Sequence, residues 1–183
     1  MGLKYLAGYS PAVVEKVQAL IDNNQLVAYL QKKYPQAHQV KTDKALYEFV
    51  QTVKNRYLRQ SSPLSKVIYD DRLDVLHQAL GLHSFVSRVQ GGKLKAKNEI
   101  RIGGVFRTAP IEFLQMIVAH ELAHLREKEH NKAFYQLCLH IEPDYHQLEF
   151  DMRLYLICLD KGLDLYSVGE AQGGFSLVNQ HNL

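Results

Sequence analysis

The chain has 183 residues, of which 46% are hydrophobic and 22% are charged, and these values are ordinary for a soluble globular protein of one domain. A chain of this length can bury a sizeable core without disulfides, so a bound metal would serve chemistry rather than hold the fold together. The formal net charge of +3 is only mildly basic and does not by itself indicate a nucleic-acid-binding protein.

The N-terminal third of the chain is predicted to be helical. Ser10-Pro11 is a helix-start signal, and apolar residues follow it at helical spacing. A second short helix is predicted over Leu26–Tyr34, where Pro35 stops it. Thr42 or Asp43 could cap a third helix.

Short strands are predicted in the middle of the chain. Val67–Tyr69 and Phe85–Val89 have the composition of strands and lie on either side of a predicted helix near Leu73–Leu80. Glu99–Ile102 alternates polar and apolar residues, as a half-buried strand does, before Gly103-Gly104 breaks the pattern.

Three helices are predicted after these strands. The first runs from about Pro110 to Arg126 or just beyond it. The second is capped by Asn131 and ends near Ile141, and the third begins near Pro143.

These elements predict one domain, residues 1–165, with an N-terminal helical part of about 10–60 and a catalytic part of about 64–160. The tail, residues 166–183, is polar and rich in glycine, and we expect it to be loose. No secretory signal opens the sequence, and its longest late apolar run is far too short to cross a bilayer. The sequence therefore predicts a cytoplasmic protein without a membrane partner.

The residues His120-Glu121-Leu122-Ala123-His124 form an H-E-x-x-H motif in a strongly helical stretch. Residues four apart lie on one helix face, so the imidazoles of His120 and His124 can converge on one ion. Glu121 can then take a proton from water on that ion, because zinc lowers the pKa of a bound water to roughly 7. The alternative is a pair of core histidines held by hydrogen bonds.

His130, six residues after His124, is the predicted third ligand. On a continuous helix it would lie about 9 Å further along the axis and about 120° away, out of reach of the same ion. The helix must therefore end within about Arg126–Lys128 and the chain must turn back. Two alternatives remain open: His130 is a solvated loop residue, or Glu142 or Glu149 is the third ligand.

The stretch from His120 to Tyr135, HELAHLREKEHNKAFY, resembles the signature of the YgjP-like metal-dependent hydrolases, which are relatives of the SprT-like and WLM zinc metallopeptidases. The similarity extends back through Gly91-Gly92 to the strand that ends at Ile102, and forward through Pro143-Asp144-Tyr145.

The resemblance implies an α+β, zincin-like fold in which a short β-sheet packs on the active-site helix. It also implies that His120, His124 and His130 hold one zinc ion, or another divalent metal, and that Glu121 is the general base. The family has also been linked to hydrolysis of nucleoside triphosphates, UTP in particular.

Basic residues are concentrated between positions 88 and 107, where six arginines and lysines against Glu99 alone leave a net charge of +5. The segment is either a solvated hairpin whose lysines block strand pairing or a phosphate cradle beside the metal. In the second interpretation Arg88, Lys93 and Lys95 are candidate substrate-binding residues. Tyr145 is a further candidate, because its hydroxyl could stabilise an oxyanion.

Three functional hypotheses follow. In the first, metal-activated water attacks a peptide-like carbonyl with Glu121 as the base. In the second, the same metal site hydrolyses UTP to the monophosphate and pyrophosphate. In the third, the metal is structural and the basic strand contacts nucleic acid, but no aromatic-rich basic stripe supports this. We therefore expect a small-molecule or peptide substrate as the partner and do not expect nucleic acid.

Overall fold

The structure is a computed structural model, and it describes residues 3–73 and 98–166. A 3-10 turn over Lys4–Leu6 precedes three helices, which are α1 (Pro11–Asp22), α2 (Leu26–Lys33) and α3 (Asp43–Tyr57). The remaining described elements are β1 (Lys66–Asp70), β2 (Glu99–Gly103), a second 3-10 turn (Gly104–Thr108), α4 (Ile111–Ala123), α5 (Lys132–Ile141) and α6 (Tyr145–Asp160).

The predicted fold class, α+β with a short sheet against the motif helix, is confirmed. Six helices and one two-stranded parallel sheet account for the regular structure within the two described ranges, and β2 packs against α4. Helix α4 also contacts α5 and α6, α2 contacts α6, and α3 contacts β1. The predicted strand over Phe85–Val89, almost all of the predicted helix near Leu73–Leu80, and nearly all of the predicted tail lie outside the described residues.

The paired strands bury an apolar set of side chains, and β2 contacts α4 while β1 contacts α3. Val67 lies opposite Ile100 and Tyr69 lies opposite Ile102 in the parallel register. Side chains two apart on a strand point to the same face, and all four of these residues are buried. The alternation of burial along β2 is what the sequence pattern of Glu99–Ile102 predicted for a half-buried strand, and β1 lies where a strand was predicted over Val67–Tyr69.

Side-chain caps begin two of the helices where the sequence predicted them. The hydroxyl oxygen of Thr42 accepts the N–H of Ala45 at 3.2 Å at the start of α3. The amide oxygen of Asn131 accepts the N–H of Phe134 at 2.9 Å at the start of α5. Each cap satisfies a backbone donor that the first helical turn leaves unpaired.

A buried carboxylate fastens the N-terminal helices to the C-terminal one. Asp151 of α6 has no exposed surface and accepts hydrogen bonds from Lys33 at 2.5 Å and from the hydroxyl of Tyr34 at 2.6 Å. A carboxylate in such a place is stable only when its oxygens are paired and hydrogen-bonded. This contact therefore joins the end of α2 to the middle of α6, behind the helix that carries the motif.

His38 fixes the stretch of chain that leads into α4. Its ring is 6% exposed, and its Nε2 lies 2.7 Å from the carbonyl oxygen of Phe106 in the second 3-10 turn. Its Nδ1 accepts the N–H of Val40 at 3.0 Å, and its own backbone N–H donates to the carbonyl of Ala109. Because a carbonyl only accepts, Nε2 carries the proton and the ring is neutral.

We expect a pH-dependent contribution of His38 to stability. Burial, above all, lowers the pKa of His38 below its usual 6.5, and the positive charge of Lys41 acts in the same direction. The unfolded chain therefore takes up a proton before the folded one does. The stability that the neutral ring contributes is complete above about pH 6.5 and is lost as the pH falls from there toward the lower, folded-state pKa.

Urea unfolding of the metal-free protein at about pH 7.5 and about pH 5.5 measures this contribution. The free energy of unfolding of the unmodified protein should fall more than that of His38→Gln over this interval, because the variant cannot titrate at this position. Equal decreases in the two proteins would contradict the assignment.

Candidate metal centre

Helix α4 holds the H-E-x-x-H residues in a fixed place because it is packed on nearly all sides. Nine of its 13 residues are buried, so little of its surface is left to water. His120 lies near the end of this helix and is 5% exposed, while Glu121 and His124 are half-buried. The motif thus stands at the boundary between the core and a surface that a substrate can reach.

The helix ends at Ala123, and the prediction that it would continue to Arg126 or beyond was wrong. Hydrogen bonds of the 3-10 type close its last turn, from the N–H of Leu125 to the carbonyl of Leu122 and from the N–H of Arg126 to that of Ala123. Nδ1 of His124 then lies 2.9 Å from the carbonyl oxygen of Glu127. Tightened bonds of this kind are a usual way to end a helix, and here they turn the chain back toward the motif.

The reversal brings the three predicted histidine ligands together. Nε2 of His124 lies 3.2 Å from Nε2 of His120 and 3.1 Å from Nε2 of His130. Nitrogen ligands at 2.0–2.1 Å from a tetrahedral zinc ion would be about 3.3 Å apart, so the observed spacing suits such an ion. Within residues 3–73 and 98–166, these three are the one group of histidine, cysteine or acidic side chains arranged to hold a metal ion.

The hydrogen bonds on the far side of the rings support the same assignment. The carbonyl oxygen of Glu127 can only accept, so Nδ1 of His124 carries the proton and its Nε2 presents a lone pair to the centre. Nδ1 of His120 lies 2.8 Å from the hydroxyl oxygen of Tyr145, which leaves Nε2 of His120 pointing at His124. Neutral imidazoles with Nε2 turned inward are the form that binds a divalent metal.

A single aromatic ring supports all three imidazoles. Phe134 is fully buried, and its ring centroid lies 5.0 Å from that of His120, 4.5 Å from that of His124 and 4.4 Å from that of His130. Rings at these separations are in contact. Phe134 therefore limits the movement of each candidate ligand from one side.

Glu121 follows His120 on α4 and is not one of the three grouped histidine ligands. Its side chain is half-buried, and its carboxylate is near enough to Cys138 to influence that thiol. Burial raises the pKa of the Cys138 thiol to about 12, and the negative charge of Glu121 adds to the increase. The thiol thus stays protonated, and Cys138 does not belong to the group of three histidines that could hold a metal.

The alternative third ligands have other partners. A carboxylate oxygen of Glu142 accepts the backbone N–H of Asp144, and Glu149 forms an ion pair with Arg153. Tyr145, predicted as a candidate substrate residue, is 2% exposed, and its hydroxyl contacts His120. The structure therefore places Tyr145 against the back of a candidate ligand, on the side away from the three converging nitrogens.

The described residues include only part of the basic segment, residues 98–107 of 88–107. Arg88, Lys93 and Lys95 lie outside the described residues. Arg101 forms ion pairs with Asp70 at 2.6 Å and with Glu99 at 2.6 Å. Arg107 lies 3.3 Å from Asp71. The two described arginines of the segment thus have acidic partners, and the count of charges along the sequence overstates the positive charge of this part.

Sequence reasoning missed two features of the centre. Phe134 gave a usable signal, because Phe134, Cys138 and Ile141 follow one another at helical spacing, which predicts an apolar face turned to the core. The carbonyl of Glu127 gave none, because every residue type supplies the same acceptor.

Helices long and apolar enough to cross a membrane are absent from the part of the chain that the structure describes.

Comparisons with known proteins agree with the geometry. The family profile described as "YgjP-like, metallopeptidase domain" matches residues 13–154. The chain is 59% identical over 160 residues to a protein of Escherichia coli (strain K12) named UTP pyrophosphatase, and the match covers 87% of this chain and 96% of that protein. No solved structure matches the chain.

We expect His130→Ala to abolish tight metal binding. Loss of a hydrogen-bond partner behind a metal ligand weakens metal affinity roughly 10–100-fold. Loss of one of the three nitrogen ligands themselves should weaken metal affinity more than that. Metal analysis after dialysis should give one zinc per unmodified chain and much less in the variant, and titration against a chelator gives the two affinities.

The matched control is His140→Ala, because His140 is an exposed histidine on α5, the helix that follows His130. It should retain the full metal content. Equal metal content in all three proteins would show that His130 is not a ligand.

Proposed function

We propose that this chain, which belongs to the YgjP-like family and is a metal-dependent hydrolase, converts UTP to UMP and pyrophosphate at the three-histidine centre. The observation that carries the proposal is the extensive similarity to the UTP pyrophosphatase of Escherichia coli. The convergence of three Nε2 atoms beside a glutamate supports it independently, because this arrangement suits hydrolysis by activated water.

His120, His124 and His130 would hold the metal, and the all-nitrogen set favours zinc over magnesium or calcium, which prefer oxygen ligands. A zinc ion there would lower the pKa of a coordinated water to roughly 7 and draw negative charge from a phosphate oxygen. The tight packing of α4 and the contact of Phe134 with all three rings keep the ligands in place without movement of the backbone.

Glu121 would move the proton. As the oxygen of water adds to the α-phosphorus, the carboxylate of Glu121 accepts the proton from that water. The bond between the α-phosphorus and the oxygen that bridges to the β-phosphorus breaks, and the electron pair leaves with pyrophosphate. Glu121 then returns the proton to the leaving group or to solvent, so the residue is unchanged after each cycle.

The phosphate groups need positive partners besides the metal. Arg101 and Arg107 are paired with Asp70, Glu99 and Asp71, which makes them poor candidates for this task. We therefore assign phosphate binding to Arg88, Lys93 and Lys95, the other basic positions named from the sequence.

A second candidate is hydrolysis of a peptide bond at the same centre. The family profile supports it, because its description is that of a metallopeptidase domain. The roles of the histidines and of Glu121 are the same for attack on a carbonyl carbon, so the site chemistry alone suits both substrates. The two candidates differ in what must bind: a polyphosphate needs the basic segment, and a peptide does not.

Pyrophosphate release from UTP tests the main proposal. The zinc-loaded protein should release one pyrophosphate per UMP formed, and Glu121→Gln should lower turnover by about 10²–10⁴-fold while the zinc content stays the same. Glu112→Gln is the matched control, since it makes the same change on the same helix, and it should retain activity.

A peptide library incubated with the same proteins separates the candidates. Cleavage of peptides that depends on Glu121, with no pyrophosphate from UTP, would overturn the main proposal in favour of the second candidate.

The phosphate-binding residues are tested by Lys93→Ala and Lys95→Ala. Each should raise the KM for UTP about tenfold, because a hydrogen bond to a charged group contributes roughly 1.5–3 kcal/mol. Lys16→Ala, at an exposed position on α1, is the control and should leave KM unchanged. Unchanged kinetics in both variants would remove the basic segment from substrate binding.

A further inference from the structure

We propose that Tyr145 is a positioning residue that keeps the proton of His120 on Nδ1 and so turns the Nε2 lone pair of His120 toward the metal. The inference rests on the proposed metal chemistry and adds a residue to it. Its basis is the 2.8 Å contact between the Tyr145 hydroxyl oxygen and Nδ1 of His120. Both side chains are buried, at 2% and 5% exposure, so this contact is shielded from competition with water.

The direction of this hydrogen bond decides whether His120 can bind a metal. If the tyrosine hydroxyl donated to Nδ1, the ring proton would lie on Nε2, facing Nε2 of His124 at 3.2 Å, and His120 could not be a ligand. If Nδ1 donates to the hydroxyl oxygen, Nε2 has its lone pair available. A tyrosine hydroxyl permits both directions, so a further contact must select one.

Cys138 offers a second acceptor for the hydroxyl proton. Its side chain interacts with the hydroxyl of Tyr145, and Cys138 has no exposed surface. The hydroxyl has a single proton, and when it donates that proton to sulfur, its oxygen can only accept from His120. A Tyr145 hydroxyl that donates toward Cys138 therefore holds His120 in the metal-binding tautomer.

Tyr145 does for His120 what a backbone carbonyl does for His124. The carbonyl oxygen of Glu127 accepts from Nδ1 of His124 at 2.9 Å and fixes that ring in the same tautomer. Outer partners of this kind orient metal-binding histidines and raise their basicity. Tyr145 is the first residue of α6, and its ring lies nearly parallel to that of His120, with an interplanar angle of 19°. Its position thus makes the start of α6 part of the centre.

Tyr145→Phe tests the inference because it removes the hydroxyl and keeps the buried ring. Titration of zinc against a chelator should show affinity about 10–100-fold weaker than in the unmodified protein. Tyr155→Phe is the matched control. Tyr155 is 2% exposed on the same helix, its hydroxyl lies near Thr108, and loss of that hydroxyl should not change zinc affinity.

NMR of the imidazole nitrogens in the metal-free protein reports which nitrogen of His120 carries the proton. This tautomer would not change if Tyr145 only packed against the ring. His120 should carry its proton on Nδ1 in the unmodified protein and on Nε2, at least in part, in Tyr145→Phe. Cys138→Ala should shift the same signals in the same direction by a smaller amount, because the oxygen of Tyr145 can still accept.

The outcomes are distinguishable from those of the proposed function. Unchanged zinc affinity in Tyr145→Phe, or a proton on Nε2 of His120 in the unmodified protein, overturns the inference even if UTP is hydrolysed. Weakened affinity together with the expected tautomer supports it even if neither UTP nor peptides are hydrolysed. The tautomer of the unmodified protein decides the matter if Tyr145→Phe does not fold.

Discussion

The structure depends on one electrostatic constraint: three imidazole nitrogens with inward lone pairs lie only 3.1–3.2 Å from their nearest neighbour in the group. Lone pairs at this distance repel unless a cation or a shared proton lies between them, so the arrangement favours a bound cation. The surrounding fold keeps the three imidazole rings from moving apart to relieve that repulsion. Helix α4 is packed on nearly all sides, and Phe134 contacts each ring from one side.

Parts of the chain far from the motif contribute to the same rigidity. His38 joins the N-terminal helices to the turn that leads into α4, through the carbonyls of Phe106 and Ala109. The Lys33–Asp151 contact joins α2 to α6, whose first residue touches His120. The helices before the sheet therefore belong to the framework that holds the centre, and this is consistent with a family match that begins at residue 13. Catalytic groups held in this way reorganise little during reaction.

Sequence patterns predicted the features that depend on a few neighbouring residues. The caps at Thr42 and Asn131 and the two described strands follow from side-chain type and period, which act over a few residues. The end of α4 was predicted three residues too late because no glycine or proline closely follows Ala123, and hydrogen bonds to backbone carbonyls end the helix there. The contact of Tyr145 with His120 joins residues 25 positions apart, and the pairing of Arg101 with Asp70 depends on strand register. Neither can be obtained from periodicity.

The chemical nature of the ligand set affects how the protein tolerates oxidants. Zinc centres built on thiolates release their metal when peroxide or disulfides oxidise the sulfur, because the thiolate is the reactive form. Here the candidate ligands are all nitrogens, and burial keeps the neighbouring sulfur of Cys138 as a neutral thiol without exposed surface. A metal ion held by these three nitrogens would therefore stay bound under oxidative stress that would empty a cysteine-bound zinc site.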